Sequence, residues 1–341
     1  MNQYTDARSR PGAKEGTGTD DRQLFLIEFG GYVIQAYDEV MDYQDLRYIK
    51  SITSGKADSF PIIGRKRDAT EHTPGDLILG GTINHDEVQI TLDKMLIDSV
   101  FIAEVDELMI HYDISAPYAH QLGQSLGSIT AKRIAIMHML ASRGGQTEGA
   151  GANPILDAAA DGQPIPGYYY DANLKTDASK LEAAAFLAAQ YLRQNDMSGM
   201  EMFYMLPHQQ ILLLARYSGV EGGPVTTGSG NRSTGTIGPL AGLTPKGTNH
   251  IPNANLTTGN SKYFGNFSTT VGHISNKMAV GSLERRAMTV VMKVQPERLG
   301  TTLIASMFNG HGTLRNECSI ELTTDVDAGG RGGPGGRTLL A

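Results

Sequence analysis

Cysteine and tryptophan are nearly absent from this sequence: its 341 residues include one cysteine and no tryptophan. Because Cys318 is the only thiol, an internal disulfide framework and a cysteine-based zinc site are both excluded, and synthesis in a reducing compartment is indicated. We expect Cys318 to lie buried as a small apolar side chain. Neither disulfide bonds nor cysteine–zinc clusters can therefore hold this fold together.

Long apolar runs and an excess of positive charge are missing too. No run of 18 or more apolar residues occurs and the N-terminus is polar, so we expect neither a membrane span nor a signal peptide. The 29 basic and 36 acidic residues give a net charge of −7. A dedicated nucleic-acid-binding protein needs a basic face that displaces counterions, so only weak contact with nucleic acid is expected.

Residue sets typical of catalysis or of metal binding are hardly represented. Gly123-Gln124-Ser125-Leu126-Gly127 fits the G-x-S-x-G pattern of hydrolase nucleophile elbows, but its flanks keep a helical period where an elbow requires a preceding strand. The two glycines are better explained by close packing along a helix. The nine histidines include no H-E-x-x-H motif. We therefore expect no enzymatic activity, no metal site and no cofactor.

What the sequence does contain is an extended arm within residues 51–96. Val88, Ile90 and Leu92 alternate with polar residues, which is the period of a half-buried strand, and turn residues separate an outgoing from a returning limb. About 18 residues per limb at ~3.3 Å each would reach ~60 Å, beyond the radius of one domain. We therefore predict a projecting two-stranded hairpin that lies on a neighbouring molecule.

Charged side chains are dense on this predicted hairpin. The basic residues Lys56, Arg65, Lys66 and Arg67 of the outgoing limb lie near acidic residues, which suits ion pairs with the other limb or with a neighbour. An exposed ion pair contributes only ~0 to 1 kcal/mol, so a solvated polar face explains any single residue equally well. The acidic residues are Asp68, Glu71, Asp76, Asp86 and Glu87.

Two helical segments are predicted to follow the hairpin. Apolar residues from Val100 to Tyr112 are spaced as one helical stripe within residues 97–112. A longer stripe from Tyr118 to Leu140 ends at Arg143-Gly144-Gly145, and about 28 helical residues would span ~42 Å. We interpret this second helix as a spine of the molecule.

The remaining segments predict a mixed α/β protein with long loops. A capping box at Ser179-Lys180-Leu181-Glu182 predicts a helix that ends near Asn195. Pro207 is expected to open a helix from His208 to Tyr217. The further expectations are a strand or turn and then a helix over 24–48, strands at 168–170, 202–206, 236–240, 271–280 and 319–323, a strand buried on both faces at 288–294, a short helix at 299–308, and a disordered Gly-rich stretch at 325–338.

Three clusters in this order carry a family likeness. They are Ser54-Gly55-Lys56 with Phe60-Pro61 and Gly64-Arg65; His111-Tyr112-Asp113 with Tyr118, Gln121-Leu122-Gly123 and Ser125-Leu126; and Gly310-His311-Gly312 with Leu314-Arg315 and Glu317. Together they resemble the major capsid protein of short-tailed bacteriophages, the autographivirus or T-seven-type podophage group, which has the HK97-like fold. Their order and spacing cover residues 24–323, nearly the whole chain.

The resemblance implies an α+β fold of the HK97 type, with a defined order of parts. The implied parts are an N-terminal arm at 1–50, an extended E-loop hairpin at 51–96, a peripheral domain with the spine helix at 97–144, an axial domain at 145–280, a return to the peripheral domain at 281–325 and a flexible Gly-rich tail at 326–341. Contact between subunits is then expected, as a hypothesis, at E-loop residues Lys56, Phe60, Arg65, Lys66, Arg67, Glu71, Asp76 and Glu87.

The function implied by the resemblance is assembly. Copies of the chain would form the hexamers and pentamers of an icosahedral shell around the double-stranded DNA of a tailed phage, with only weak contact to that DNA. Further implied partners are a scaffolding protein during assembly, a portal protein and, as an option, a decoration protein. The protein would be made in the cytoplasm of the host bacterium and reside in the virion.

Three alternatives stay open on sequence grounds. The first is an encapsulin, a bacterial nanocompartment shell of the same fold that docks a cargo peptide. The second is a serine hydrolase built on Ser125, and the third is a generic adhesion or tail structural protein. Particle size separates the shell proteins from the other classes, and nuclease-protected DNA inside shells separates a virus from an encapsulin.

Overall fold

A computed structural model describes most of this chain. The described residues are 21–63, 71–75, 77, 85–104, 115–144, 166–194, 201–218, 237–325 and 338–340. Contacts divide the chain into two compact units: residues 1–41, 94–129 and 286–308 form the first, and residues 42–93, 130–285 and 309–341 form the second. The expectations for residues 1–20, 105–112, 145–165 and 219–236 lie outside the described residues.

The described residues contain four α-helices, none of which is long and apolar enough to cross a membrane. They are α1 (Asp21–Val40), α2 (Ser115–Arg143), α3 (Ala178–Gln194) and α4 (His208–Ser218). The spine prediction is confirmed by α2. The strand or turn expected before α1 is wrong, because the helix runs unbroken through Gly30 and Gly31. Packing of Val33 and Ala36, both fully buried, outweighs the low helix propensity of glycine.

The glycines of the G-x-S-x-G pattern lie in the middle of α2, where they contact α1. A Cβ atom on Gly123 would collide with the carbonyl oxygen of Val33 and would lie 2.7 Å from Cβ of Ala36. A Cβ atom on Gly127 would lie 3.1 Å from the carbonyl oxygen of Tyr37. The expectation that these glycines permit close helix packing is confirmed. Ser125 lies inside a helix, so the strand that an elbow requires is not there.

Fourteen strands complete the described structure. They are β1 (Tyr48–Ser51), β2 (Ala57–Ile63), β3 (His85–Thr91), β4 (Leu96–Ala103), β5 (Pro166–Tyr170), β6 (Met202–Leu206), β7 (Leu243–Gly247), β8 (Asn255–Leu256), β9 (Gly265–Asn266), β10 (Thr270–Asn276), β11 (Val280–Gln295), β12 (Gly300–Thr313), β13 (Ser319–Thr323) and β14 (Thr338–Leu340). The strands expected at 168–170, 202–206, 271–280 and 319–323 are thereby confirmed as β5, β6, β10 and β13. Strand β10 is followed by a 3-10 turn at Lys277–Ala279.

The strands form two larger sheets and two pairs. The six-stranded sheet has the order β14-β5-β13-β10-β6-β7, and the four-stranded sheet has the order β1-β11-β12-β4. The pairs are β2-β3 and β8-β9. Helices α3 and α4 bury Leu181, Leu192 and Leu214 in the same apolar core as Tyr204 and Ile274 of the six-stranded sheet.

Three predictions in the four-stranded sheet are wrong. The helical stripe expected over residues 97–112 begins as strand β4, and the helix expected over residues 299–308 is strand β12. These two strands pair antiparallel over eight residues, from Gly300↔Ala103 to Met307↔Leu96. The segment 288–294 was expected to be buried on both faces, but Val291 and Val294 are 44% and 52% exposed. Strand pairing between distant segments outweighed the local spacing that suggested helices.

Three smaller expectations also need correction. The N-cap of α3 is not Ser179, because Asp177 Oδ1 accepts the Ser179 N–H at 2.9 Å and its hydroxyl at 2.8 Å. Within residues 237–260 the longest strand is β7, not a strand at 236–240, where Leu240 forms only an isolated bridge to Leu243. β13 is not the last strand, since β14 lies within the C-terminal stretch.

Candidate functional site

The predicted hairpin exists as the antiparallel pair β2–β3. Its register runs from Ala57↔Thr91 to Ile63↔His85. The alternation read from the sequence is confirmed, because Ile90 and Leu92 are buried whereas Gln89 and Thr91 are exposed. A two-stranded sheet by itself is marginally stable in water, so the hairpin depends on what holds its base and covers its surface.

The eight predicted contact residues fall into three groups. Lys56, Glu71 and Glu87 are exposed. Phe60 is buried in its own subunit, where its ring lies edge-on to Tyr48 at a centroid distance of 6.0 Å. The other four lie outside the described residues, and they are Arg65, Lys66, Arg67 and Asp76. Phe60 thus attaches the hairpin to strand β1 of the same chain through its contact with Tyr48.

Three basic side chains fix the outgoing strand of the hairpin. Lys50 Nζ lies 2.7 Å from Asp58 Oδ2 and donates to the carbonyl oxygen of Ser59 at 2.9 Å. The hydrogen bond from Lys50 is the main reason that the pKa of the Asp58 carboxyl lies below its ordinary value. Arg285 donates to the Gly55 carbonyl oxygen at 3.0 Å, and Arg315 donates to that of Ile63 at 3.3 Å. Both ends of β2 are therefore tied to other parts of the second unit.

The returning strand β3 packs against glycine residues of strands β11 and β12. A Cβ atom on Gly312 would lie 2.9 Å from Cγ1 of Ile90, and one on Gly281 would lie 2.7 Å from its Cδ1 atom. A Cβ atom on Gly310 would collide with the carbonyl oxygen of Thr91. Since only glycine leaves this space, Gly310 and Gly312 form the seat of the hairpin. This gives the third motif cluster of the sequence a physical role.

Asp93 closes the hairpin base with a buried carboxylate. Its Oδ2 atom accepts a short hydrogen bond from the Tyr263 hydroxyl. Its Oδ1 atom accepts from Asn260 Nδ2 at 3.3 Å and Lys262 Nζ at 3.5 Å, and Arg133 lies 3.7 Å from Oδ2. Burial is the main reason that the pKa of Tyr263 is raised and that of Lys262 is lowered. No signal in the sequence marked Asp93 as the centre of this cluster.

A cavity of about 320 Å³ lies beside this base. It is lined by the hairpin strand β3, by Met137 and Leu140 of α2, and by Lys262, Gly312 and Thr313. The lining thus mixes apolar and polar side chains and has one cationic group. The cavity contains none of the charged residues that the sequence singled out as contact residues.

The C-terminal end of the spine helix is fixed by a buried ion pair. Arg143, the last residue of α2, binds both carboxylate oxygens of Glu321 in β13 at 2.7 and 2.8 Å. It also donates to the carbonyl oxygen of Asn266 at 2.7 Å, and its guanidinium lies 4.4 Å from the ring centre of Phe267. Such a fork-shaped pair fixes geometry as well as adding free energy.

Two buried histidines stack inside the second unit. The rings of His138 and His273 lie 4.9 Å apart and nearly parallel, at 10°. His138 Nε2 lies 3.0 Å from the Leu46 carbonyl oxygen, and His273 Nε2 lies 3.2 Å from the Tyr43 hydroxyl. Burial lowers the pKa of His138 to about 3 and that of His273 well below its ordinary value. Both rings are therefore neutral at pH 7 and act as packed, hydrogen-bonding groups.

The described part of the chain holds no group of three or more His, Cys, Asp or Glu residues positioned to bind a metal ion. Cys318 is buried, as expected. Exposed apolar side chains are the more conspicuous surface feature. In the first unit they include Ile97 and Phe101 of β4, Val291 and Val294 of β11, and Leu299 at the turn between β11 and β12. Several large exposed apolar side chains in one unit are a feature typical of protein–protein contact.

Known proteins identify the class to which this hairpin and spine belong. The family model described as Gp10A-like major capsid protein matches residues 59–323. The chain belongs to this family of capsid proteins. Its members are structural proteins, so family membership confirms that this capsid protein is not an enzyme and removes the hydrolase built on Ser125.

Relatives of this capsid protein cover nearly its whole length. The major capsid protein of Escherichia phage T7 is 26% identical over 352 aligned positions, which include 93% of this chain and 97% of the T7 protein. The capsid structure of the cyanophage P-SCSP1u has 28% identity and a TM-score of 0.71, over 94% of this chain and 99% of that chain. The mature capsid of bacteriophage PhiM1, at 15% identity and a TM-score of 0.65 over 83% and 86% of the two chains, shares the fold.

The likeness to T-seven-type major capsid proteins and the HK97-like fold are both confirmed. The protein is a major capsid protein of the T7-like phages, which excludes the encapsulin and the generic tail protein. It assembles into multi-subunit capsid shells and is a component of phage virions.

Proposed function

We propose that this capsid protein forms the hexamers and pentamers of an icosahedral shell around double-stranded DNA, with the β2–β3 hairpin as the main contact between neighbours. The observation that carries the proposal is that β2 and β3 form a sheet of their own, which only a few contacts attach to the rest of the subunit. Lys50, Arg285 and Asp93 hold its base, and Arg315 holds Ile63 at the far end of β2. A neighbour that covers the strands supplies the burial that an isolated hairpin lacks.

Exposed apolar side chains supply most of the contact free energy in this proposal. Ile63 at the end of β2 is 56% exposed, and Leu77 between the strands is 82% exposed. Burial of apolar area contributes about 25 cal/mol per Å², whereas exposed ion pairs contribute ~0 to 1 kcal/mol each. The charged residues Lys56, Glu71 and Glu87, with Arg65 to Arg67 and Asp76, then select the partner and its register. The sequence prediction emphasised these charges and missed Ile63 and Leu77.

The exposed strands of the first unit are the surface that we assign to neighbouring subunits. Ile97 and Phe101 alternate on one face of β4, where they are 62% and 42% exposed. Leu299 at the turn between β11 and β12 is 63% exposed. An apolar strand face of this kind gains free energy when another copy covers it.

The finer division of parts and partners belongs to the same proposal. The N-terminal arm at 1–50 would reach across a capsomer, and residues 145–280 would form the axial domain at its centre. A scaffolding protein, a portal protein and, as an option, a decoration protein would complete the assembly. The net charge of −7 supports only weak contact with packaged DNA. Synthesis would take place in the cytoplasm of the host bacterium.

Removal of apolar contact from the hairpin tests this function. The variant Ile63→Asp/Leu77→Asp should keep the unfolding temperature of the free subunit, because both side chains are exposed, but should form at least tenfold fewer shells in electron micrographs. The matched control is Leu212→Asp in α4, which changes a 58% exposed side chain away from the hairpin. Shells formed equally well by the double variant and the control would contradict the proposal.

Charge reversal tests the register of the same contact. Arg65→Glu should also reduce shell formation, and an acid-to-lysine change at Glu71 or Glu87 in the same chain should restore it. Unchanged assembly by Arg65→Glu would show that Arg65 is not part of the contact. The apolar part of the proposal is tested by the Ile63→Asp/Leu77→Asp variant alone.

A further inference from the structure

The six-stranded sheet is completed at one edge by a short strand from far along the chain. β5 pairs in parallel with β13 on one side, from Glu321↔Tyr168 to Thr323↔Tyr170. On its other side it pairs in parallel with β14, where Leu339↔Tyr168 and Leu340↔Tyr169 are partners and the register shifts after Thr338. The edge of β5 is therefore an acceptor site for an added strand.

The strand that fills this site is weakly attached within its own chain. β14 has only three residues, and it follows the fourteen residues 324–337, six of which are glycine. A few ladder hydrogen bonds barely offset the entropy lost when such a short segment is ordered. An unoccupied edge of β5 would in turn expose unpaired N–H and C=O groups, which readily accept a strand from another chain.

The connection between β13 and β14 is long enough for β14 to pair with β5 of its own subunit or with β5 of an adjacent copy. The end of β13 and the start of β14 are about 16 Å apart in this sheet, because they are separated by four residues along the strands and by two strand spacings across them. A Gly-rich chain of fourteen residues spans ~20 Å on average and ~46 Å when fully extended. The chain from Thr323 to Thr338 thus has more length than its own subunit requires. The surplus suffices to reach the same edge on an adjacent copy.

We propose that in the shell β14 of one subunit adds to the β5 edge of a neighbouring subunit, so that the chains exchange C-terminal strands. The proposal rests on assembly as described under the proposed function and names a second contact site and its partner, a second copy of this chain. Exchange keeps every ladder hydrogen bond, because the incoming strand has the same sequence and register. Close packing of subunits supplies a high effective concentration of the neighbour's strand.

Cysteine pairs placed across the two edges of β5 test the exchange. Tyr168→Cys and Leu339→Cys are introduced in separate chains, which are mixed, assembled into shells and oxidised with a copper–phenanthroline complex. Exchange predicts disulfide-linked dimers on a non-reducing gel from the shells, and a ladder of linked chains from the double variant. The matched control pair, Thr323→Cys with Tyr170→Cys, joins β13 to β5 and should give bonds within one chain only.

The outcomes separate the exchange from the shell itself. Shells that contain only bonds within chains overturn the exchange and leave the proposed function intact. Failure of the wild-type protein to form shells overturns both. A chain that ends at Arg337 gives a second measurement that needs no cysteine: exchange predicts shells that dissociate at a lower guanidinium concentration, with the unfolding midpoint of the free subunit changed much less. Equal shifts of the two midpoints would overturn the exchange.

Discussion

The two large sheets of this capsid protein both carry many apolar side chains, yet they bury them to different extents. Every residue of β6, β10 and β13 in the six-stranded sheet is buried. In the four-stranded sheet the outer parts of β4 and β11 expose Ile97, Phe101, Val291 and Val294. The central strands of the first sheet bury their side chains within one subunit, whereas the second sheet leaves apolar side chains exposed in the described part of the chain.

The same contrast occurs along a single strand. The first four residues of β11, Val280 to Leu283, are buried, and the last ten, from Arg286 to Gln295, are half-buried or exposed. The buried end lies beside Ile90 of the hairpin, where Gly281 leaves room for it. One strand is thus buried in the subunit at one end and exposed at the other, where we propose that it contacts a neighbour. Substitutions at the two ends should therefore differ in what they change.

The largest effect is expected from the buried ion pair behind the six-stranded sheet. Glu321→Ala should lower the free energy of unfolding of the subunit by ~3 to 5 kcal/mol, because it leaves the Arg143 guanidinium buried without its counter-charge. Guanidinium denaturation of the unassembled subunit at pH 7 measures this loss.

The matched control for that variant is an ion pair on the surface. Asp45 and Lys246 lie 3.0 Å apart, but Asp45 is 68% exposed. Asp45→Ala should therefore cost at most ~1 kcal/mol. Losses of equal size from the two variants would contradict the view that the buried pair fixes the spine helix to the sheet.

The second effect concerns the glycine seat of the hairpin. Gly312→Ala should destabilise the subunit by ~1 to 3 kcal/mol, because its Cβ atom would lie 2.9 Å from Ile90 and force the hairpin outward. Thermal unfolding and limited proteolysis within the hairpin check both parts of this result.

Gly31→Ala is the matched control, since no atom lies within 4 Å of a Cβ placed there and the residue is in helix α1. It should stabilise the subunit by ~0.5 to 1 kcal/mol through higher helix propensity. Destabilisation by both alanines would show that the seat has no special role.

The two sheets also differ in how far the sequence predicted them. Spine helix α2, hairpin β2–β3 and the buried strands β6, β10 and β13 follow local periods that the sequence displays. β4 does not, because Leu96, Val100 and Ile102 are half-buried on one face while Ile97 and Phe101 are apolar on the other. With apolar residues on both faces, the alternation that marks a strand disappears, and the spacing suggests a helix.

The clusters that hold the hairpin and spine were beyond prediction for a different reason. Tyr263 reaches Asp93 over 170 positions, and Arg143 reaches Glu321 over 178 positions. A single sequence contains no signal that joins residues so far apart. The glycines at 310 and 312 were visible as a motif, but the side chain that they accommodate, Ile90, became known only from the fold.

The third effect depends on pH and concerns the two stacked histidines, His138 of helix α2 and His273 of strand β10. His138 stays neutral in the folded subunit down to about pH 3, whereas in the unfolded chain it gains a proton below about pH 6.5. The unfolded state therefore binds more protons as the pH falls, and stability present above pH 6.5 is lost below it. The pKa of His273 is lowered in the folded subunit too, so this ring acts in the same direction. For each pH unit by which the pH falls below about 6.5, each ring should lower the free energy of unfolding by ~1.4 kcal/mol.

Denaturation midpoints between pH 7 and pH 5 measure this slope. His138→Gln should reduce it by the share of one group, because glutamine does not titrate and still donates to the Leu46 carbonyl oxygen. The exposed His85 provides the matched control, and His85→Gln should leave the slope unchanged. An unchanged slope in His138→Gln would mean that other groups determine the acid sensitivity.

The smallest effect on the subunit is expected at the exposed face of the four-stranded sheet, where the comparison of the two sheets is most sharply tested. Phe101→Ser should lower the free energy of unfolding by only ~1 kcal/mol, because the side chain is 42% exposed and lies at a sheet edge, although part of the ring packs against Gly300. The same change should sharply reduce shell formation in sedimentation and electron micrographs, since a neighbour can no longer bury the ring. The two readouts should therefore separate.

Ser99→Ala on the same face of β4 is the control for this last variant, because it alters an exposed polar residue between Ile97 and Phe101 without removing apolar area. Assembly should then persist. If Phe101→Ser instead unfolds the subunit, the ring already belongs to a core within one chain. If it leaves both stability and assembly unchanged, the exposed apolar face has another role, and the distinction between a sheet for the subunit and a sheet for the shell fails at this strand.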